Sequence, residues 1–445
     1  MQNPAMLRNL PPLLAALLTA ACMPDIGTDP LPVEMQFVPG GETPRVAEPS
    51  AAILNPTTGL LDMSLAGVTV PADCSAPAAM SVAQCEFYQY LQTLDGYPTL
   101  MAGRAPVSGA LDPTTITVPA NLLALALGTD TVVTDLGAGF DSADDWVTFD
   151  PPQGWQIGTT YAVAVRGYAS GVRGASGAEV VADPLNDLLR LEDSLTCDAT
   201  TAAAIPDSCP YLQLLAEDTP AAEARDSLVQ LEGMRAQLAA LGAWTGVAAH
   251  GMPRAEVAAL WVFPTHSASV VELDPARGLV PEVVSAQELR LGFKGAIAAD
   301  EVTPFAMTVP GSVYLLDLTA LDGGDLFGGI PAFTPTVEGA EIVLRPSAAL
   351  VDGHLIGVLL SDGISNGAGR PIVPSPVTVL LRTRGALVDG DGHSTVSGVA
   401  DADAAELEAG RAELAALLDD ATFTALTGLT REHIAYLYAF TFVSP

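Results

Sequence analysis

The sequence predicts a mainly β protein built as two tandem β-sandwich units, each with a helical insertion before its last strand. Three observations predict it. Motifs recur in the same order in both halves of the chain. Between them lie short runs rich in β-branched residues that end at glycine, as strands do. The exceptions, 219–242 and 401–418, are Ala/Leu/Glu-rich with helical period.

The repeat is carried by five matches. "LNPTTGL" (54–60) recurs as "LDPARGL" (273–279), and "VPANLLALAL" from Val118 as "VPGSVYLLDL" from Val309. "GVRGASGAEVVADPLNDLLR" (171–190) aligns without a gap to "GISNGAGRPIVPSPVTVLLR" (363–382). "LEGMRAQLAAL" from Leu231 matches "LEAGRAELAAL" from Leu407, and "RAEVAALWVFPT" from Arg254 matches "REHIAYLYAFTF" from Arg431. The first copy is longer between the third and fourth matches, where Cys197 and Cys209 fall. Within each copy, "TTYAVAVRG", "HLIGVLLSDG", "DDWVTFDP", "PVTVLLRT", "LWVFPT" and "LYAFTF" read as strands, and the Gly-rich stretches between them as turns. Glu232/Arg235 and Glu408/Arg411 are spaced to pair on one helix face.

The first 22 residues, "MQNPAMLRNLPPLLAALLTAAC", carry one positive charge at Arg8 and then an apolar run too short to span a bilayer. This is signal-peptide chemistry. The ending "LTAAC" resembles a bacterial lipobox, with Thr19 where that pattern prefers an aliphatic residue; the resemblance implies lipid attachment at Cys22. Residues 23–50, rich in Pro, Gly and acids, read as a tether. The expected organisation is a lipoprotein signal peptide at 1–22, the tether at 23–50, a first unit at 51–265 and a second at 266–445.

Four cysteines remain: Cys74, Cys85, Cys197 and Cys209. Three pairings are possible, and closeness in sequence favours Cys74 with Cys85 and Cys197 with Cys209. Neither spacing suits zinc, and no histidine lies nearby. Such bonds need an oxidising compartment. Net charge is −34, with Lys294 the only lysine. Such a chain repels phosphate backbones, which argues against nucleic acid as a partner.

"SDGISNGAG" contains Gly363-x-Ser365-x-Gly367, the pattern of a hydrolase nucleophile elbow. Its counterpart in the first copy has Arg173 in place of Ser365, and Pro371, Pro374 and Pro376 interrupt the following segment. It reads as a turn, so no catalytic residue is expected. "LVDGDGHS" offers Asp389, Asp391 and His393 to a cation, but residue 400 is Ala where a calcium loop of the EF-hand type requires Glu. A polar loop whose helix is capped by Asp401 is the preferred reading. His250, His266, His354, His393 and His433 are scattered without metal-ligand spacing. Trp146, Trp155, Trp244 and Trp261 read as packing residues. No metal or cofactor site is expected, and no phosphate-binding loop is present.

The order "VPGSVYLLDL", "GHLIGVLLSDGISNGAGRPI" and a closing aromatic strand resembles bacterial Ig-like domains of surface proteins. With "NPTTGLLDMS" and "LQTLDGYPTLMAGRAPVSGALDPTTITVP" it is similar to the non-catalytic N-terminal region of bacterial virulence-factor lipases, and to lipid-anchored Ig-like proteins of the myxobacterial kind. The resemblance covers most of 51–445. It implies two Ig-like units on a lipid-anchored outer-membrane protein, periplasmic or cell-surface, that is a spacer, scaffold or binding module rather than an enzyme. Its partners would be the membrane, through the N-terminal lipid, and an envelope protein or polysaccharide. The alternative is an accessory or truncated relative of surface lipases that retains lipid or ester-substrate binding.

Overall fold

A computed structural model describes residues 30–39, 45–215, 220–267, 271–274, 281–306, 309–325 and 327–444. The first half contains strands β1 (Val33–Met35), β2 (Gly103–Pro106), β3 (Leu122–Ala126), β4 (Thr131–Val132), β5 (Gly137–Asp141), β6 (Trp146–Asp150), β7 (Thr160–Arg166), β8 (Val180–Ala182) and β9 (Val257–Pro264). Its helices are α1 (Val82–Leu91), α2 (Pro184–Leu189), α3 (Pro210–Leu215), α4 (Ala221–Ala240) and α5 (Ala243–Ala249). The second half supplies β10 (Val271–Leu273), β11 (Glu282–Ser285), β12 (Glu288–Lys294), β13 (Val313–Asp317), β14 (Phe333–Glu338), β15 (Glu341–Pro346), β16 (Leu355–Ser361), β17 (Ile372–Val373) and β18 (Ile434–Thr441). Helices α6 (Leu318–Asp322), α7 (Pro376–Arg382), α8 (Asp401–Leu418) and α9 (Ala421–Thr427) complete it.

Strand order repeats between the halves. β3-β7-β9 corresponds to β13-β16-β18, and β2-β6-β5 to β12-β15-β14. The short parallel pair β1–β8 corresponds to β10–β17. Even an irregularity is shared: the register slips between Val165 and Arg166 on β7 and between Leu360 and Ser361 on β16.

The expected mainly β architecture is nevertheless corrected. Helix and strand each account for 28% of the chain, so the fold is mixed α/β with mostly open sheets, not two clean Ig-like β-sandwiches. The physical reason lies in the central strands. β3 is buried at every position, as is β13. One face of β3-β7-β9 packs Leu122, Val163 and Val165 towards the neighbouring sheet. The other packs Leu123, Ala164 and Leu260 against Leu228, Leu231 and Trp244 of α4 and α5. In the second half Leu359 and Leu437 likewise meet Leu414 and Leu418 of α8 and Phe423 of α9. A sandwich strand exposed on one side would alternate apolar and polar; these runs do not, because helices cover the outer face.

A second correction concerns "PVTVLLRT", expected as a strand. It forms α7, with Pro376 in the first turn and the Ser375 hydroxyl accepting the Thr378 N–H at 3.1 Å. α2 starts the same way, on Asp183 and Pro184. An N-cap followed by proline pre-organises a helix start and outweighs the β-branched run. Within residues 23–50, expected as a tether, Met35 and Phe37 are buried and β1 pairs with β8. Among the described residues no helix is long and apolar enough to cross a membrane.

Candidate functional site

A cleft of about 1530 Å³ lies between the two halves. One wall is the outer face of β2-β6-β5. There the Arg104 guanidinium lies 4.2 Å from the centre of the Trp146 ring. Arg104 also pairs with Glu48 at 2.9 Å and donates to the Ser397 hydroxyl across the cleft at 2.5 Å. Phe140 and Asp150 lie along the same wall, which is completed opposite by Asp403, Glu406 and Leu407 of α8 and by Leu437 and Tyr438 of β18. Burial raises the Asp150 carboxyl above the ordinary aspartate value, and the Asp403 charge adds to the effect.

The floor is closed by α1, which belongs to the first half but is bonded to the second. Ser81 donates to the Thr395 carbonyl at 2.8 Å, and Tyr90 to the Pro374 carbonyl at 2.6 Å. Glu86 accepts from the Thr383 hydroxyl and from the backbone and guanidinium of Arg384. The Cys74–Cys85 disulfide ties this helix to the loop before it. Nearby, fully buried Glu272 accepts the Thr99 N–H at 3.0 Å. Burial pushes its carboxyl up, opposed by His266, by the hydrogen bonds from Thr99 and by Lys294. His266, also buried, meets Asp95 at 3.4 Å. Asp95 is held well below the usual carboxylate range, chiefly by His266 and further by Ser267 and Arg370.

Of the residues singled out by sequence, Trp146, His393 and Asp401 line this cleft, whereas Ser365, Asp389 and Asp391 are not part of its lining. Cys22 lies outside the described residues. Both local disulfides are formed, Cys74–Cys85 and Cys197–Cys209. Ser365 sits in a turn: it bridges Pro371 as Arg173 bridges Glu179 in the first half, and Gly369 and Gly177 share a positive φ. Its backbone N–H donates to Glu301 and its hydroxyl accepts from Gly367. Asp389 closes its own loop by accepting the Asp391 and His393 N–H groups, both at 2.9 Å. Asp401 does not cap α8; it is the first helical residue and instead accepts from Ser394 and pairs with His393. Each histidine meets a different aspartate: Asp130, Asp95, Asp317, Asp401 and Asp362 in chain order. Among the described residues no three His, Cys, Asp or Glu side chains are grouped to hold a metal. All four tryptophans are buried.

The cleft and the buried Glu272 were missed by sequence reasoning. Two signals bore on the cleft: the Trp- and Asp-bearing hairpin "DDWVTFD" and the acidic start of α8, "DADAAELE". Neither indicates that the two will face one another.

The chain matches no family model, and no curated protein is similar to it. Among solved structures there is a weak, partial likeness to the N-terminal part of the bacterial S-layer protein SbsC, at 15% identity and a TM-score of 0.16. It covers 36% of this chain and 28% of that one. A likeness this loose carries no argument.

Proposed function

We propose that this protein is a non-catalytic, lipid-anchored component of the bacterial cell envelope that acts as a binding module. The observation that carries the reading is the cleft: a spacer needs no concavity of about 1530 Å³ lined by side chains of both halves. Two disulfides support an oxidising compartment, and the lipobox-like ending at Cys22 supports an anchor there. The turn geometry at Ser365 supports a role without ester chemistry. A lipase relative that retains lipid contact draws on the same apolar lining, but Asp144, Asp150, Asp403 and Glu406, which line the cleft without an ion pair among the described residues, weigh against anionic head groups.

Occupancy of the cleft is testable in place. Ala402, exposed on α8 and lining the cleft, is replaced by cysteine; Ala409, exposed farther along the same helix, serves as the control site. With Ala402→Cys, labelling by a charged maleimide should slow in intact envelopes relative to purified protein, while Ala409→Cys labels equally in both. Equal labelling at both sites would remove the binding-module reading and leave the spacer.

A further inference from the structure

We infer that the cleft takes a basic, extended polypeptide segment; this rests on the cleft being the binding site proposed above. Size is the first argument. A volume of about 1530 Å³ exceeds the roughly 300–1,000 Å³ of pockets that take small molecules.

Charge is the second. The cationic side chains lining the cleft already have partners: Arg104 pairs with Glu48 and covers Trp146, and His393 pairs with Asp401. Asp144, Asp150, Asp403 and Glu406 line the same space and form no ion pair among the described residues. Placement in the first turn of α8, where the helix dipole favours an acid, accounts for Asp403 alone. It does not account for Asp150, which comes from a strand in the other half and feels the Asp403 charge. A ligand cation between the two carboxylates relieves that repulsion. The net charge of −34 draws such a ligand in from a distance.

Two sheet edges favour a polypeptide over a polyamine or a glycan. β5 and β18 each end the hydrogen-bonded order of their sheet, and both line the cleft. An edge strand offers main-chain donors and acceptors that an extended peptide satisfies along its length. Half-buried Phe140 and Tyr438 stand beside these edges and suit the alternate apolar side chains and lysine stems of such a segment.

The test titrates the purified full-length chain with a decapeptide alternating Lys and Val, followed by calorimetry. Binding should weaken with added salt. It should fall about tenfold in the double variant Asp150→Asn/Asp403→Asn, as expected for loss of charges facing a ligand, and by at least as much in Ala402→Trp, which places a bulky ring in the cleft from an exposed helical position. Unchanged melting temperatures would show that both variants fold. Affinity unchanged in both variants would overturn the inference, as would a Glu/Val decapeptide binding as tightly. Competition by spermine at equal charge would replace the polypeptide with a polyamine. If the Lys/Val peptide fails while Ala402→Cys remains protected in envelopes, the basic-peptide inference falls and cleft binding stands.

Discussion

The two halves share a strand order but differ beside their last strand. Next to β9, Met35, Phe37 and Ser50–Ala52 pack in with Met234 and Leu238 of α4, leaving only about 40 Å³. Every residue of β9 except its last is buried. Next to β18 the corresponding space opens into the cleft, and Tyr438, Ala439 and Phe440 are partly exposed. The difference traces to the chain between β1 and β2, residues 36–102, against the short connection between β10 and β12, residues 274–287. The longer segment fills its own half and then crosses, through α1, to floor the other. One sheet scaffold thus gives a sealed edge or an open one, according to what is laid against it.

The largest effect should come from breaking the sealed side. Phe263 on β9 is fully buried and packs against Tyr97, Trp155 and Tyr161, with ring centroids 5.1–6.2 Å away. Among the described residues Phe440, at the corresponding place on β18, has one aromatic neighbour, Tyr438, at 6.3 Å. Phe263→Ala should cost about 3–5 kcal/mol, the range for truncating a buried aromatic, whereas Phe440→Ala should cost about 1 kcal/mol or less. Urea denaturation of both variants checks this; equal losses would show that β18 is as enclosed as β9.

Next in size is the staple on the crossing segment. Closing a loop of this length by Cys74–Cys85 is worth on the order of 3 kcal/mol in the chain-entropy model. Cys74→Ala/Cys85→Ala should therefore lower stability by about that amount, read by the same denaturation. Because α1 carries the hydrogen bonds to Thr395, Thr383 and Pro374, amide exchange should also quicken at residues 374–397 in the second half. Exchange unchanged there would show that α1 holds the floor without its disulfide.

How much of this was legible depends on the range of the cause. The duplication was visible because the same local pattern recurs, and the described parts of the matched stretches fall on corresponding elements, β3 with β13, α4 with α8 and β9 with β18. The disulfides were legible because each closes a short loop. α7 was misread because Val377, Thr378 and Val379 favour a strand by propensity, while its Ser-Pro start and its packing on α8 and β18 decide otherwise. The sandwich reading failed because continuous apolar runs do not say whether sheet or helix covers the second face. Glu272 was invisible: its burial depends on Thr99, His266 and Lys294, which only the fold assembles.

The smallest effect tests the likeness of the halves rather than their difference. In the first, Glu232 pairs with Arg235 at 2.6 Å and accepts the Leu195 N–H at 2.9 Å. In the second, Glu408 pairs with Arg411 at 2.6 Å and accepts the Leu387 N–H at 2.8 Å. Each carboxylate thus fixes a loop on the C-terminal side of a short helix, α2 in the first half and α7 in the second. Glu232→Ala and Glu408→Ala should each cost about 1–3 kcal/mol, since each leaves a backbone N–H without its acceptor, and the two losses should agree. In both residues the hydrogen bond from the arginine holds the carboxyl below the ordinary glutamate value of 4.5. A depressed native pKa means that the unfolded chain binds the proton more readily. The contribution is therefore complete above pH 4.5 and is lost as pH falls through the native value. Denaturation of wild type and both variants at pH 7 and pH 3 should show the gap narrowing at the lower pH, to the same degree in each half. A gap that narrows for one glutamate only would mean that the two loops are no longer held in the same way.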